Sequence, residues 1–207
     1  MVLVTETDKI RVAEAITAAE AKTSGDIVAV IAPASASYMY APFLWAALAA
    51  LAVPFPFIFW TWWPIQHIYA LQILVFAVLA VVLMYPPLRL ALVPKSVKHA
   101  RAHQRAVEQF VAQDLYTNTQ RTGVLIFVST AERFAEILAD SAIHQHVDGE
   151  TWQRIVDDLT DWIAEREAGE GLVRAVGAVG EQLARHFPPG SEDAHGLTNH
   201  LIVLPAA

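Results

Sequence analysis

The amino-acid sequence predicts an α/β fold: a single three-layer sandwich domain with a central β-sheet, interrupted by a two-helix transmembrane hairpin. Three observations predict it. Residues 27–88 contain no Asp, Glu, Lys or Arg, which makes 62 consecutive uncharged residues, most of them apolar, in a chain of 207. A short continuous apolar run stands at each side of the membrane-length segments, residues 27–31 (IVAVI) and 124–129 (VLIFVS), the pattern of central strands buried on both faces. Segments of helical period lie before the first run and around the second, so helices are available to cover both faces of one sheet.

The elements follow in order. Residues 8–23 read as a helix with Ile10, Ala13, Ile16 and Ala21 near one stripe and Asp8 as the N-cap. Ser24 and Gly25 break it, strand 27–31 follows, and residues 33–37 form a small-residue linker. Residues 41–63 and 68–88 then have the length to cross a bilayer, roughly 35 and 32 Å as helix at about 1.5 Å per residue. Aromatic residues mark both interfaces: Tyr38, Tyr40, Trp45 and Tyr85 on one side, and Trp60, Trp62, Trp63 and Tyr69 at the turn. Pro54 and Pro56 lie inside the first span and should kink it, since each removes a backbone donor. A prolyl kink serves a pore or substrate site in some membrane proteins; with no charge beside it, a bent anchor is the preferred reading.

Residues 96–116 read as an amphipathic helix with Val107, Phe110, Val111 and Leu115 on its stripe and a basic first half. Thr122 and Gly123 turn the chain into strand 124–129, and residues 136–140 (EILAD) read as a third strand. Residues 149–168 give the clearest helix, with Trp152, Ile155, Val156, Leu159, Trp162 and Ile163 on one face. Gly169 and Gly171 separate it from a last helix whose inward side carries Leu172, Val176, Val179, Leu183 and Phe187. Residues 200–204 suit an added edge strand or a docking segment. The expected organisation is therefore 1–37 and 93–190 as two parts of one domain, 38–92 as the hairpin, and 191–207 as a tail.

The net charge of −7 splits into +5 over residues 89–105 (Arg89, Lys95, Lys98, Arg101 and Arg105) and −12 over the rest. Five cations directly after a membrane segment are a positive-inside signal and suit an anionic lipid surface, at about 1 kcal/mol per close Lys or Arg. The hairpin turn, residues 63–67, has no Lys or Arg. Both termini are therefore expected on the cytoplasmic side of the inner (cytoplasmic) membrane, in a multi-pass arrangement with the lipid bilayer as one partner. The acidic remainder argues against nucleic acid as a partner. The chain has no cysteine, which excludes disulfides and thiolate chemistry. Acids stand where a basic signal-peptide region would be, so no signal peptide is expected.

Several phrases together resemble a known family. Residues 121–129 (RTGVLIFVS), Glu132 with Arg133, residues 136–140, and residues 23–28 (TSGDIV) upstream are similar to the centre of a TPM domain. Trp152 and the Phe187-Pro188 end of the last helix fit as well. The likeness is to the subgroup in which two membrane helices interrupt the domain. The resemblance implies an α/β sandwich with a central sheet. It also implies a range of roles: photosystem repair, weak acid phosphatase activity, divalent-cation binding and modulation of a neuronal receptor. That spread suits a membrane-associated helper module more than one reaction. The chain departs from the family in one respect, since many members carry Asp-Asn where this sequence has Arg121 and Thr122. A carboxylate that would serve a metal or phosphate site is missing.

Asp26 and Asp140 are the carboxylate candidates for a metal site, with Ca²⁺ or Mg²⁺ as the cation. Asp140 ends its strand and Asp26 precedes its own, so they meet only if the third strand runs antiparallel. Two acids are few for a hard cation, and the preferred reading is that each caps or terminates an element. Ser129, Thr130 and Glu132 follow the second strand, where functional side chains sit in parallel sheets, but the preferred reading is that Ser129 or Thr130 is the N-cap of a helical turn starting at Ala131. His144 and His146, near Asp148 and Glu150, suit either a metal or a surface loop. His99 and His103 on the basic helix suit a headgroup-facing role. Gly177 and Gly180 suit close helix packing. The acids Asp157, Asp158, Asp161, Glu165 and Glu167 form a solvated face and the most plausible docking surface for a basic partner.

No dense set of acids, base–nucleophile pair or phosphate cradle stands out. The expected function is thus a membrane-anchored, non-catalytic interaction or assembly and maintenance module acting on an unnamed membrane-protein partner. Two alternatives stand beside it: a weak metal-dependent acid phosphatase using Asp26 and Asp140, and an accessory subunit of a channel or transporter complex using the Pro54–Pro56 bend.

Overall fold

A computed structural model describes residues 4–60, 62–113, 115, 122–189 and 201–205. In chain order the elements are α1 (Glu6–Glu20), β1 (Asp26–Ala32), α2 (Tyr40–Ala52), α3 (Pro54–Trp60), α4 (Ile65–Leu83), α5 (Pro86–Ala91) and α6 (Lys95–Ala112). They continue as β2 (Gly123–Ser129), β3 (Phe134–Ala139), α7 (Ser141–His144), α8 (Gly149–Ala164), α9 (Ala168–His186) and β4 (Ile202–Val203). The chain divides into two compact units, residues 37–98 and the remainder on either side of them.

The larger unit is an α/β sandwich. Its sheet has the order β3-β2-β1-β4 among the described residues. β1 and β2 are parallel from Asp26 opposite Gly123 to Ala32 opposite Ser129. β4 adds parallel to the far side of β1, and β3 pairs antiparallel with β2. Every residue of β1 and β2 is buried, as two continuous apolar runs at the centre of a covered sheet require. On one face Ile27, Ala29, Ile31, Val124, Ile126 and Val128 pack with Val12 and Ile16 of α1, Trp152 and Leu159 of α8, and Leu172, Val176 and Leu183 of α9. On the other face Val28, Val30, Leu125 and Phe127 pack with Ala106 of α6 and with Leu115. The junction of α1 and β1 is tied to the end of α9, since the Ser24 amide and the Thr23 hydroxyl both donate to the Phe187 carbonyl, at 3.1 and 2.6 Å.

The smaller unit holds α2 to α5. Tyr40–Trp60 and Ile65–Leu83 are long and apolar enough to cross a membrane, and only 11% of the most apolar window of each is buried. The first is interrupted at Val53, between α2 and α3. Pro54 has no N–H to offer the Ala50 carbonyl, and the Val53 amide takes that carbonyl in a tighter turn at 3.3 Å. The second span starts at Ile65, directly after Pro64, and stops at Leu83, earlier than hydropathy suggests, because Pro86 and Pro87 open a separate short helix, α5.

Several local expectations are corrected. Thr5, not Asp8, caps α1: its side chain accepts from the Asp8 amide, and the Asp8 carboxylate reciprocates to the Thr5 amide at 2.9 Å, a capping box. These bonds from Thr5 hold the Asp8 carboxyl below its usual range. Ile10 is exposed and the buried stripe of α1 runs through Val12, Ile16 and Ala19. In α6 the small residues Ala102 and Ala106 are buried while Val107 and Val111 are exposed. The sheet-facing row there is 102, 106 and 110, and 107 and 111 lie one residue further round the helix. Gly169 and Gly171 do not separate two helices; they belong to the first turn of α9, and the break falls at Arg166, whose φ is 67°. A Cβ at Gly171 would stand 2.6 Å from the Trp162 Cβ, so these glycines permit close helix contact. The third strand begins at Phe134, two residues earlier than its apolar run. Residues 202–203 do form an edge strand. Thr61, Asp114, residues 116–121 (with Arg121) and residues 190–200 lie outside the described residues, and so do parts of the first span, the end of the 96–116 segment and the tail.

Candidate functional site

The amino-terminal end of the sheet carries the two predicted carboxylates. Because β3 runs antiparallel, Asp26 and Asp140 lie at the same end, on either side of Gly123: Asp26 is opposite Gly123 in the β1–β2 register, and the Asp140 amide donates to the Gly123 carbonyl at 3.0 Å. Side-chain alternation puts Asp26 on the face of Val28 and Val30, and Asp140 on the face of Glu136 and Leu138, which is the α6 side for both. Two strand spacings separate them, about 9–10 Å. The space above Gly123 is filled by Leu115, whose carbonyl oxygen would stand 2.9 Å from a Cβ at that position.

Their surroundings differ. Asp26 is buried, and its amide donates to the Thr122 carbonyl at 3.2 Å. Asp140 caps α7, accepting from the Ser141 amide and hydroxyl, while its Oδ2 has no partner among the described residues. A hard cation takes six to eight oxygen ligands. Among the described residues no cluster of three or more His, Asp or Glu side chains converges.

The carboxyl-terminal end of β1 and β2 holds a buried polar network. The Ser129 hydroxyl donates to Glu132 Oε2, the Ser35 hydroxyl donates to Ser129 Oγ at 2.9 Å, and the Ser35 amide donates to Glu132 Oε1 at 3.0 Å. Glu132 is only 6% exposed. Thr130 adds hydroxyl contacts to the Pro33 and Ala32 carbonyls at 3.1 and 3.4 Å. No helical turn starts at Ala131; residues 130–133 form the β2–β3 hairpin turn, with Arg133 at a φ of 50°. The N-cap assignment for Ser129 and Thr130 is therefore replaced by a clamp. It fastens the chain leaving β1 to the hairpin that follows β2. Ser129 is fully buried, so its hydroxyl holds structure and is not presented to a substrate.

The histidines are dispersed. His144 ends α7, and His146 sits in the following turn with Nδ1 2.8 Å from the Ala142 carbonyl and its ring centroid 5.4 Å from that of Phe187. His103 Nδ1 lies 2.8 Å from Glu136 Oε1, and the His99 ring lies 5.3 Å from the Phe134 ring. Both therefore contact β3 residues. Among the interfacial aromatics, Tyr40, Trp45, Trp60, Trp62, Trp63, Tyr69 and Tyr85 are exposed, whereas Tyr38 is 2% exposed and sits at a φ of 50°. Tyr38 thus serves the turn into α2 and presents no surface to lipid headgroups. Of the cations, Arg89 contacts Met39 Sδ at 2.9 Å, Lys98 donates to the Leu90 carbonyl at 3.3 Å, and Arg105 pairs with Glu108 at 3.1 Å. Lys95 and Arg101 are exposed.

Three features have no signal in the local sequence. Ser35 reads as linker, and only the β1–β2 register brings it to Ser129 and Glu132. Glu20 is buried at the end of α1, where Oε1 accepts from the Ile27 amide at 2.9 Å. Arg11 and Arg174 both engage Glu170, at 2.6 and 3.2 Å, and Arg174 also lies 4.6 Å over the Trp162 ring. The hydrogen bond from Arg11, then that from Arg174, pulls the Glu170 carboxyl below its usual range.

Residues 87–182 match the family model described as TPM domain. A solved structure, described as the NMR structure of BA42 protein from the psychrophilic bacterium Bizionia argentinensis, superposes with a TM-score of 0.61 at 17% identity, covering 97% of this chain and 95% of that one. At that identity the likeness shows the fold alone. No curated protein matches the chain. The sandwich with its central sheet is thus shared with a solved fold, and residues 87–182, from α5 to α9, are similar to a TPM domain.

Proposed function

We propose that the chain is a membrane-anchored TPM-type module that acts by binding other proteins at the cytoplasmic face of the membrane, without catalysing a reaction. The observation that carries this reading is the position of the apolar unit. β1 and β2 are in-register neighbours over seven residue pairs, yet the whole of residues 37–98 intervenes between them. An anchor attached at one end would leave the domain on a tether; an anchor inserted between two central strands fixes the sheet's chain at two points. The two apolar helices are largely uncovered, as expected of lipid-facing helices and unlike helices of a soluble core. Arg89, Lys95, Lys98, Arg101 and Arg105 favour the cytoplasmic side for both ends of the hairpin.

A second reading, a metal-dependent phosphatase, draws on Asp26 and Asp140 sharing one end and one face of the sheet. A generic phosphomonoester assayed with and without Mg²⁺ or Ca²⁺ separates the two. The interaction reading expects no turnover above a heat-denatured control; turnover that vanishes in Asp140→Asn would replace it with the phosphatase. Orientation is tested apart, with reporters at residue 65, expected to be translocated, and after residue 207, expected to remain cytoplasmic.

A further inference from the structure

We infer that the free edge of β3 is a docking site for an extended, basic peptide segment of another protein, which adds to the sheet as a fifth strand. The inference rests on the interaction reading above and names its surface. β3 closes one side of the sheet, with no strand beyond it among the described residues. The hydrogen-bond phase follows from the Asp140 amide donating to the Gly123 carbonyl. Bonded and non-bonded residues alternate along an antiparallel pair. Asp140, Leu138, Glu136 and Phe134 therefore turn their backbone groups toward β2, while Ala135, Ile137 and Ala139 turn theirs outward. Six amide and carbonyl groups in a straight row are a template for strand addition.

The edge is also built into a groove. A cavity of about 470 Å³ runs along it, lined by Arg133, Glu136 and Ile137 on the strand side and by Trp152, Val156 and Asp157 on α8. Two of these side chains have unmet polar atoms among the described residues: Trp152 Nε1, in a residue 6% exposed, and Glu136 Oε2. Both atoms are covered, so bonding them takes a small side-chain adjustment when a strand arrives. The Trp152 donor calls for a carbonyl or hydroxyl, and the Glu136 acceptor calls for a donor.

Charge selects the occupant. Glu136 lies in the middle of the edge beside His103, Asp157 lies on the α8 wall, and Arg133, the one Lys or Arg among the described residues lining the groove, stands at its far end before the strand begins. Alternate side chains of a strand share one face, so Lys or Arg at alternate positions of an incoming strand would meet Asp157 on the α8 face, while hydroxyl side chains between them would meet Glu136 Oε2 on the α6 face. A second copy paired edge to edge would bring the same acids toward each other, which disfavours that occupant.

The test is hydrogen exchange of segment 134–139 in the full chain, held in detergent or nanodiscs. The probe is a synthetic ten-residue peptide alternating threonine and lysine; the control is the same peptide N-methylated at every backbone amide. The unmodified peptide is expected to slow exchange at the outward amides roughly tenfold when present at about ten times its Kd. The methylated peptide, with equal charge and no strand-forming edge, is expected to give no protection. Ile137→Pro removes an outward N–H without touching the β2 ladder and should abolish the effect; if that variant does not fold, the methylated peptide still decides. Equal protection by both peptides, protection by neither, or protection that grows with protein concentration in the absence of peptide would each overturn the inference. Phosphomonoester turnover bears on the interaction reading and not on the edge, so the two fail separately.

Discussion

Glu132 has both carboxylate oxygens engaged inside the fold, one by the Ser35 amide and one by the Ser129 hydroxyl. A buried carboxylate is tolerated only when its lone pairs are met by donors. Here the donors come from two segments nearly a hundred residues apart in sequence, and they meet only because β1 and β2 are paired. Glu132→Ala leaves the Ser35 amide without an acceptor and opens a hole beside a fully buried Ser129, at a cost of about 2–4 kcal/mol. Glu132→Gln keeps an oxygen for the Ser35 amide and turns an amide donor toward Ser129, whose hydroxyl can accept it, so its cost is about 1 kcal/mol. Thermal or urea unfolding of the full chain in detergent measures both. An alanine variant as stable as the parent would mean that the clamp contributes nothing.

Between elements, the seam of α1 and α9 shows how one missing methyl sets a helix–helix distance. A Cβ built at Gly180 would stand 2.5 Å from the Ala19 Cβ, whereas one at Gly177 meets nothing within 4 Å. Both contacting atoms at Gly180 are carried directly by backbone, so neither can swing away and the helices must part. Gly180→Ala therefore loses about 1–3 kcal/mol to overpacking, against a gain of about 1 kcal/mol in helix propensity. Gly177→Ala has only the gain and should raise stability by up to about 1 kcal/mol. Opposite shifts in the unfolding midpoint check the pair; shifts of the same sign would place the seam elsewhere.

The same seam shows what sequence patterns carry and what they omit. Helical period identified α9 and the use of its glycines in packing, but spacing alone treats Gly177 and Gly180 alike. Continuous apolar runs located β1 and β2, because burial on both faces leaves little room for polar residues. Period carries no strand direction, so the antiparallel course of β3, and with it the shared end for Asp26 and Asp140, was legible only as a condition. The Asp8 and Ser129 assignments missed for different reasons. Thr5 was one helical turn away and equally able to cap, whereas Ser35 approaches Ser129 through sheet pairing that no local pattern encodes.

At the scale of the whole molecule, the two hydrophobic cores draw only on residues of the α/β unit. The intervening residues 37–98 carry most of the exposed large apolar side chains, Phe59, Trp60 and Trp62 among them. The sandwich cores and the two helices long and apolar enough to cross a membrane are thus different stretches of one chain, even though the second interrupts the first. Replacing residues 38–94 with a Gly/Ser linker long enough to rejoin β1 to α6 should leave both cores filled. Loop-closure entropy changes by only about 0.6 kcal/mol for each twofold change in loop length, so shortening the connection does not penalise the sheet. The excised chain is expected in the soluble fraction, with a cooperative thermal transition within a few degrees of the transition of the full-length sandwich. The parent chain is expected in the membrane fraction, released by detergent and not by high salt. High salt would release it if cationic contact alone held it, because those interactions are screened over about 10 Å at 0.1 M. An excised chain that aggregates or melts without cooperativity would show that the hairpin contributes to folding, and the insertion would then have to be understood as part of the core.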